Sequence, residues 1–92
     1  MQLKVTARRS LTPEIEEFTL SALESQVLPV AEPGAHITIT TPSGAHRRYS
    51  LVYPGNDLTS YTVAIKLEPN SRGGSESMHH QATIGTVLDV EE

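Results

Sequence analysis

Cysteine is absent from the 92 residues. Within this chain that excludes disulfides, thiolate metal ligands, a cysteine nucleophile and a cysteine-held iron–sulfur cluster. Tryptophan is also absent, and the aromatic set is limited to Phe18, Tyr49, Tyr53 and Tyr61. No apolar run approaches the ~18 residues of a membrane span. The opening Met1-Gln2-Leu3-Lys4-Val5 lacks the basic start and long apolar stretch of a secretion signal, so a cytoplasmic protein is expected. The formal net charge of −4 argues against broad contact with nucleic acid or an anionic membrane. The basic residues are nevertheless gathered in two places. Lys4, Arg8 and Arg9 lie near the start, while Arg47, Arg48, Lys66 and Arg72 lie between positions 47 and 72. A local anion site is compatible with a globally acidic chain.

What is present reads as one small all-β domain over residues 1–92. Leu3, Val5 and Ala7 alternate with polar neighbours in a first strand. Ile15, Phe18 and Leu20 suggest a second over 14–20, with a slip at Glu16-Glu17 that signals a bulge or a helical turn. Pro29, Pro33 and Gly34 make residues 21–35 a long crossing loop. His36–Thr40 is the cleanest strand, and the turn Thr41-Pro42-Ser43-Gly44 returns the chain as a strand over 45–53. Pro54-Gly55-Asn56-Asp57 supplies another turn before a strand over 61–67. Gly73 and Gly74 free the backbone, Ser75 suits the N-cap of a short helix over 76–81, and 86–90 reads as a last strand. Six strands, one short helix and one long crossing favour an antiparallel Greek-key barrel.

Three places have residue types suited to chemistry. In Arg72-Gly73-Gly74-Ser75, paired glycines and a helix start can cradle a phosphate, although neither the P-loop nor the dinucleotide fingerprint is present. Taken alone, the segment is an ordinary glycine turn. In Arg47-Arg48-Tyr49-Ser50-Leu51, a strand puts Arg47, Tyr49 and Leu51 on one face and Arg48 and Ser50 on the other. An arginine two positions from a tyrosine can grip an anion beside a flat ligand. Taken alone, it is an edge strand with basic residues in water. His36, His46, His79 and His80 lie at no familiar metal spacing, and no serine carries a nucleophile elbow.

Taken together, Pro33-Gly34-Ala35-His36-Ile37, Arg47-Arg48-Tyr49-Ser50-Leu51, Tyr61-Thr62-Val63-Ala64-Ile65-Lys66 and Arg72-Gly73-Gly74-Ser75 resemble a known family in order and spacing. The chain is similar to the flavin-binding domain of the ferredoxin–NADP reductase type, in the branch of phthalate dioxygenase reductase and the reductase component of vanillate O-demethylase. The resemblance implies that Arg47 pairs with the flavin phosphate and Tyr49 packs on the ring. It places Ser50 near the position where hydride arrives, as the catalytic contact. Arg48 belongs to the same motif. Ala64, Ile65 and Lys66 correspond to the strand lining ring and ribityl chain, and Gly73, Gly74 and Ser75 to the phosphate loop. FMN is the first choice, with FAD open. The family passes electrons from NAD(P)H through flavin to an iron–sulfur centre, so an NAD(P) domain, a 2Fe–2S domain and a terminal oxygenase are the expected partners. The chain is then a fragment of a longer reductase. Two other classes stay open: a small barrel that binds single-stranded nucleic acid or a protein partner, and a structural domain with an empty ancestral site.

Overall fold

The computed structural model describes residues 1–24, 26–32, 34–52, 59–69 and 73–91. Pro33, Tyr53, the expected turn at 54–57 and Asn70-Ser71-Arg72 lie outside the described residues. Six strands form one sheet: β1 (Gln2–Ser10), β2 (Ile15–Ala22), β3 (His36–Thr40), β4 (His46–Ser50), β5 (Ser60–Lys66) and β6 (Val87–Glu91), with one helix, α1 (Gly74–Gln81), before β6. The order across the sheet is β4-β3-β6-β1-β2-β5, and every neighbouring pair is antiparallel. β6 returns from the far end of the chain to lie between β1 and β3, which is the Greek-key crossing. Among the described residues the curled sheet meets itself at one place. Leu51 bridges Val63, and Val52 N–H donates to Thr62 O at 2.8 Å.

Alternation fills the interior. Leu3, Val5, Phe18, Leu20, Ile37, Ile39, Val63, Ile65, Leu88 and Val90 are buried, joined by Met78 and Ala82 from α1 and the residue after it. The crossing segment after β2 contributes Leu28 to this core. It is tied down where the Tyr61 hydroxyl donates to Pro29 O at 2.6 Å.

Two sequence expectations are corrected here. The ladder is regular through Glu16 and Glu17, and the bulge lies on the facing strand between Val5 and Ala7. Both acids are half-buried because each meets an arginine of β1: Glu16 contacts Arg8 at 2.9 Å and Glu17 contacts Arg9 at 3.4 Å. Those pairings also carry β1 past Ala7 to Ser10. The second correction concerns Ser75, which does not cap α1. Gly73 holds the N-cap at φ 85°, with no side-chain cap. The Ser75 hydroxyl instead accepts from Glu68 N–H at 2.8 Å, which places it inside the first turn.

Candidate functional site

The β3–β4 hairpin sets the geometry of the site. Its turn is closed by Thr41 N–H donating to Ala45 O and Gly44 N–H donating to Thr41 O, both at 2.8 Å, and the Thr41 hydroxyl donates to Ala45 O at 3.0 Å. The resulting register places Arg47 opposite Ile39 and Tyr49 opposite Ile37. Because directly paired residues share a face, Arg47 and Tyr49 lie on the face that carries the core and are half-buried. Arg48 and Ser50 point the other way and are exposed.

Arg47 reaches the start of α1. A Cβ added at Gly74 would stand 2.6 Å from Arg47 Nε, 3.0 Å from Cζ and 3.1 Å from Cγ. The arginine therefore occupies the space that any other residue at position 74 would need. Arg47 Nη1 also donates to His46 O at 2.9 Å, which fixes the fork. One residue earlier, Gly73 takes the left-handed conformation that side chains disfavour. A Cβ on it would be 3.9 Å from Ser43 Cβ, so the hairpin turn forms the second wall. A helix start carries the positive end of the dipole and free N–H groups. With a guanidinium laid across it, the corner has the charge and donor geometry that suit an anion.

Tyr49 supplies a second feature. Its hydroxyl is buried and has no hydrogen-bond partner among the described residues. Burial pushes its ionisation upward, opposed by the charge of Arg47. Among the described residues the phenol is thus a neutral donor with nothing to donate to, an arrangement that costs about 1–3 kcal/mol while unmet. It lies two residues from Arg47 on the same side of β4.

The other expected site residues are placed as follows. Ala64 is half-buried and Lys66 exposed on β5. Ile65 is fully buried in the core, and its carbonyl contacts His79 Nε2 at 2.7 Å. Gly74 and Ser75 are buried, and Arg72 lies outside the described residues. The structure thus brings Arg47, Gly73 and Gly74 together with Tyr49 beside them, and leaves Arg48 and Ser50 on the opposite face of β4. Ser43 was missed as a neighbour of the glycine turn. It lies thirty positions away in the chain, and no local pattern signals the contact. Among the described residues no cluster of three or more His, Cys, Asp or Glu side chains could hold a metal ion. Nor is any helix among them long and apolar enough to cross a membrane.

No family model matches the chain. Curated relatives include the oxidoreductase NdmD of Pseudomonas putida, 41% identical over 87 residues, which cover 95% of this chain and 15% of that protein. Phthalate dioxygenase reductase of Burkholderia cepacia is 31% identical over 90 residues, covering 98% of this chain and 28% of that protein. A solved structure of a phthalate dioxygenase reductase, described as modular and as transferring electrons from pyridine nucleotides to a 2Fe–2S centre, superposes with a TM-score of 0.93. It is 31% identical, and the match covers 99% of this chain and 28% of that one. The chain therefore spans less than a third of the length of these proteins.

Proposed function

Since this chain belongs to the flavin-binding domains of the ferredoxin–NADP reductase type, among the reductases of oxygenase systems, we propose that it holds FMN with the phosphate in the corner between Arg47 and the Gly73-Gly74 turn. The observation that carries this reading is the seating of the Arg47 side chain on Gly74 at the head of α1. Tyr49 fits as well, since a flavin would offer its buried hydroxyl an acceptor and its ring a flat neighbour. Bound there, the flavin supplies the hydride acceptor and one-electron donor that the relatives' electron transfer requires. The residues of the chain do the holding. Arg47 and the amides at the start of α1 take the phosphate charge. Tyr49 donates a hydrogen bond, while Ser50, which the resemblance assigns to hydride arrival, lies on the opposite face of β4 from Tyr49 and has its place at the ring from the resemblance alone. Arg48, Ala64, Ile65, Lys66 and Ser75 complete the surrounding strand and loop, Ile65 and Ser75 by placing backbone.

FMN is preferred to FAD because an adenine platform is lacking among the described residues. Phe18 is fully buried, and the Tyr61 ring is buried with its hydroxyl committed to Pro29. In the larger system the reading gives the chain an NAD(P) domain and a 2Fe–2S domain as neighbours, in cis or in trans, a terminal oxygenase as acceptor, and a place in the cytoplasm.

The test is a titration of the chain with FMN, FAD and riboflavin, followed by flavin fluorescence and melting temperature. FMN is expected to bind most tightly and to raise the melting point. If none of the three binds or stabilises at saturation, the proposal is wrong. A companion variant reads the unmet phenol directly. Tyr49→Phe is expected to leave the ligand-free chain as stable or more stable, by about 1 kcal/mol, because it removes a buried hydroxyl without a partner. The same change should weaken FMN. A clear loss of ligand-free stability would show that the hydroxyl is already satisfied.

A further inference from the structure

The cradle at the head of α1 sits on a helix that is gripped at its other end. α1 has eight residues, and helices shorter than about 12 residues do not hold their form alone in water. Its place is therefore decided by what grips it. Arg8 of β1 grips the C-terminal end with the whole guanidinium. Nη2 donates to His79 O at 2.8 Å and Nη1 to Ala82 O at 2.9 Å. Nε donates to Glu16 Oε2 at 2.9 Å, and Cζ lies 4.6 Å from the centre of the Phe18 ring.

These bonds suit the position. The last turn of a helix leaves carbonyls without partners, and a cation there meets the negative end of the dipole. Glu16 is held in turn by the Ser10 hydroxyl at 2.7 Å. That bond first, and Arg8 after it, keep the Glu16 carboxyl below its ordinary value of 4.5 against the opposing effect of burial. His79 pins the same turn to β5 through Ile65 O at 2.7 Å and sets its ring against the edge of Phe18 at 6.4 Å. The head of the helix has no side-chain cap. It is held by Ser75 on the Glu68 backbone and by Arg47 lying on Gly74.

We infer that Arg8, anchored by Glu16, is a positioning residue for the phosphate corner: it acts through α1 to hold Gly73 and Gly74 against Arg47. The inference rests on the flavin reading above. Arg8 contacts Glu16, the Phe18 ring and the C-terminal end of α1. Its effect belongs to the share of affinity that depends on the phosphate.

The readout is the ratio of the riboflavin Kd to the FMN Kd, measured by fluorescence titration of the chain. Arg8→Lys keeps the charge, but one ammonium cannot span two carbonyls and a carboxylate at once. It should lower the ratio about fivefold, a size typical of networks that couple separated sites, with riboflavin affinity nearly constant. Arg8→Met should lower the ratio further, and where it fails to fold, the Arg8→Lys result decides. Leu3→Val trims the core at the opposite end of β1 and should lower the melting temperature with the ratio kept within about twofold. Retention of the ratio in both Arg8 variants, or an equal drop in Leu3→Val, overturns the inference while leaving the flavin site standing. Failure of the unchanged chain to bind any flavin, or equal affinity for FMN and riboflavin, overturns the phosphate site and this inference with it.

Discussion

Arg47→Ala is expected to lower the affinity of the chain for FMN by about 100-fold, or about 2.7 kcal/mol, and to change riboflavin binding little. The two ligands share the ring and the ribityl chain and differ in the phosphate alone. A residue that grips only the phosphate must separate them. The magnitude follows from what is lost. Truncating one partner of a buried, charge-assisted pair typically costs ~2–5 kcal/mol, and on the proposed reading the remaining donors at the start of α1 would still hold part of the phosphate. Arg47→Lys should fall between, since an ammonium keeps the charge and loses the planar fork. Fluorescence titrations with both ligands decide the matter. Equal losses for FMN and riboflavin would remove Arg47 from the phosphate and leave it a packing role over Gly74.

The second large effect comes from the glycine beneath it. Gly74→Ala adds a carbon 2.6 Å from Arg47 Nε, so the arginine has to leave its seat. Gly74 is absent from the residues with left-handed backbone, and alanine is favoured over glycine in a helix by about 1 kcal/mol. The ligand-free chain is therefore expected to keep its stability or gain some. FMN affinity is expected to fall about 30-fold, a loss of about 2 kcal/mol. Opposite signs for stability and affinity distinguish a displaced ligand group from a damaged fold. A double-mutant cycle sharpens the result. Once Arg47 is alanine, the side-chain atoms that the added carbon at position 74 would strike are gone, so the second substitution should cost little. A coupling of about 1–2 kcal/mol is expected, and additive losses would show that the two residues act separately.

Much of the barrel was legible in the residues because alternation and breakers are local signals. His36–Thr40 and the Tyr61, Val63, Ile65 face of β5 follow from period two. The turn at Thr41–Gly44 and the crossing after β2 follow from proline and glycine. The pairing of Arg47 with Tyr49 on one face also needs only strand geometry. What local pattern could not supply was contact across the fold. Two adjacent glutamates looked like a slip in β2, whereas each is matched by an arginine of β1 and the extra residue sits opposite. Ser75 looked like a cap because serine before a helix usually is one, but the Glu68 backbone takes its hydroxyl. Arg8 stood out only as one of three basic residues near the start. Its partners His79 and Ala82 lie more than seventy positions away, and the only nearby hint was Glu16 across the β1–β2 turn. The meeting of Gly74 with Arg47 was reachable only through the resemblance, since nothing in either segment points to the other.

The single bridge between Leu51 and Val63 has a thermodynamic consequence. Among the described residues β4, which bears Arg47 and Tyr49, has a full ladder on the β3 side only, and opening it toward β5 is expected to cost less than opening an interior pair. A ligand that touches β4 on one side and the head of α1 on the other spans that weak margin, because α1 is itself tied to β5 through His79 and Ile65. Occupancy and folding are then two readings of one equilibrium. On the proposed FMN reading, free FMN at about 100 times its Kd would add about 2.7 kcal/mol to the folded state by mass action, a large share of the ~5–15 kcal/mol that holds a typical protein together.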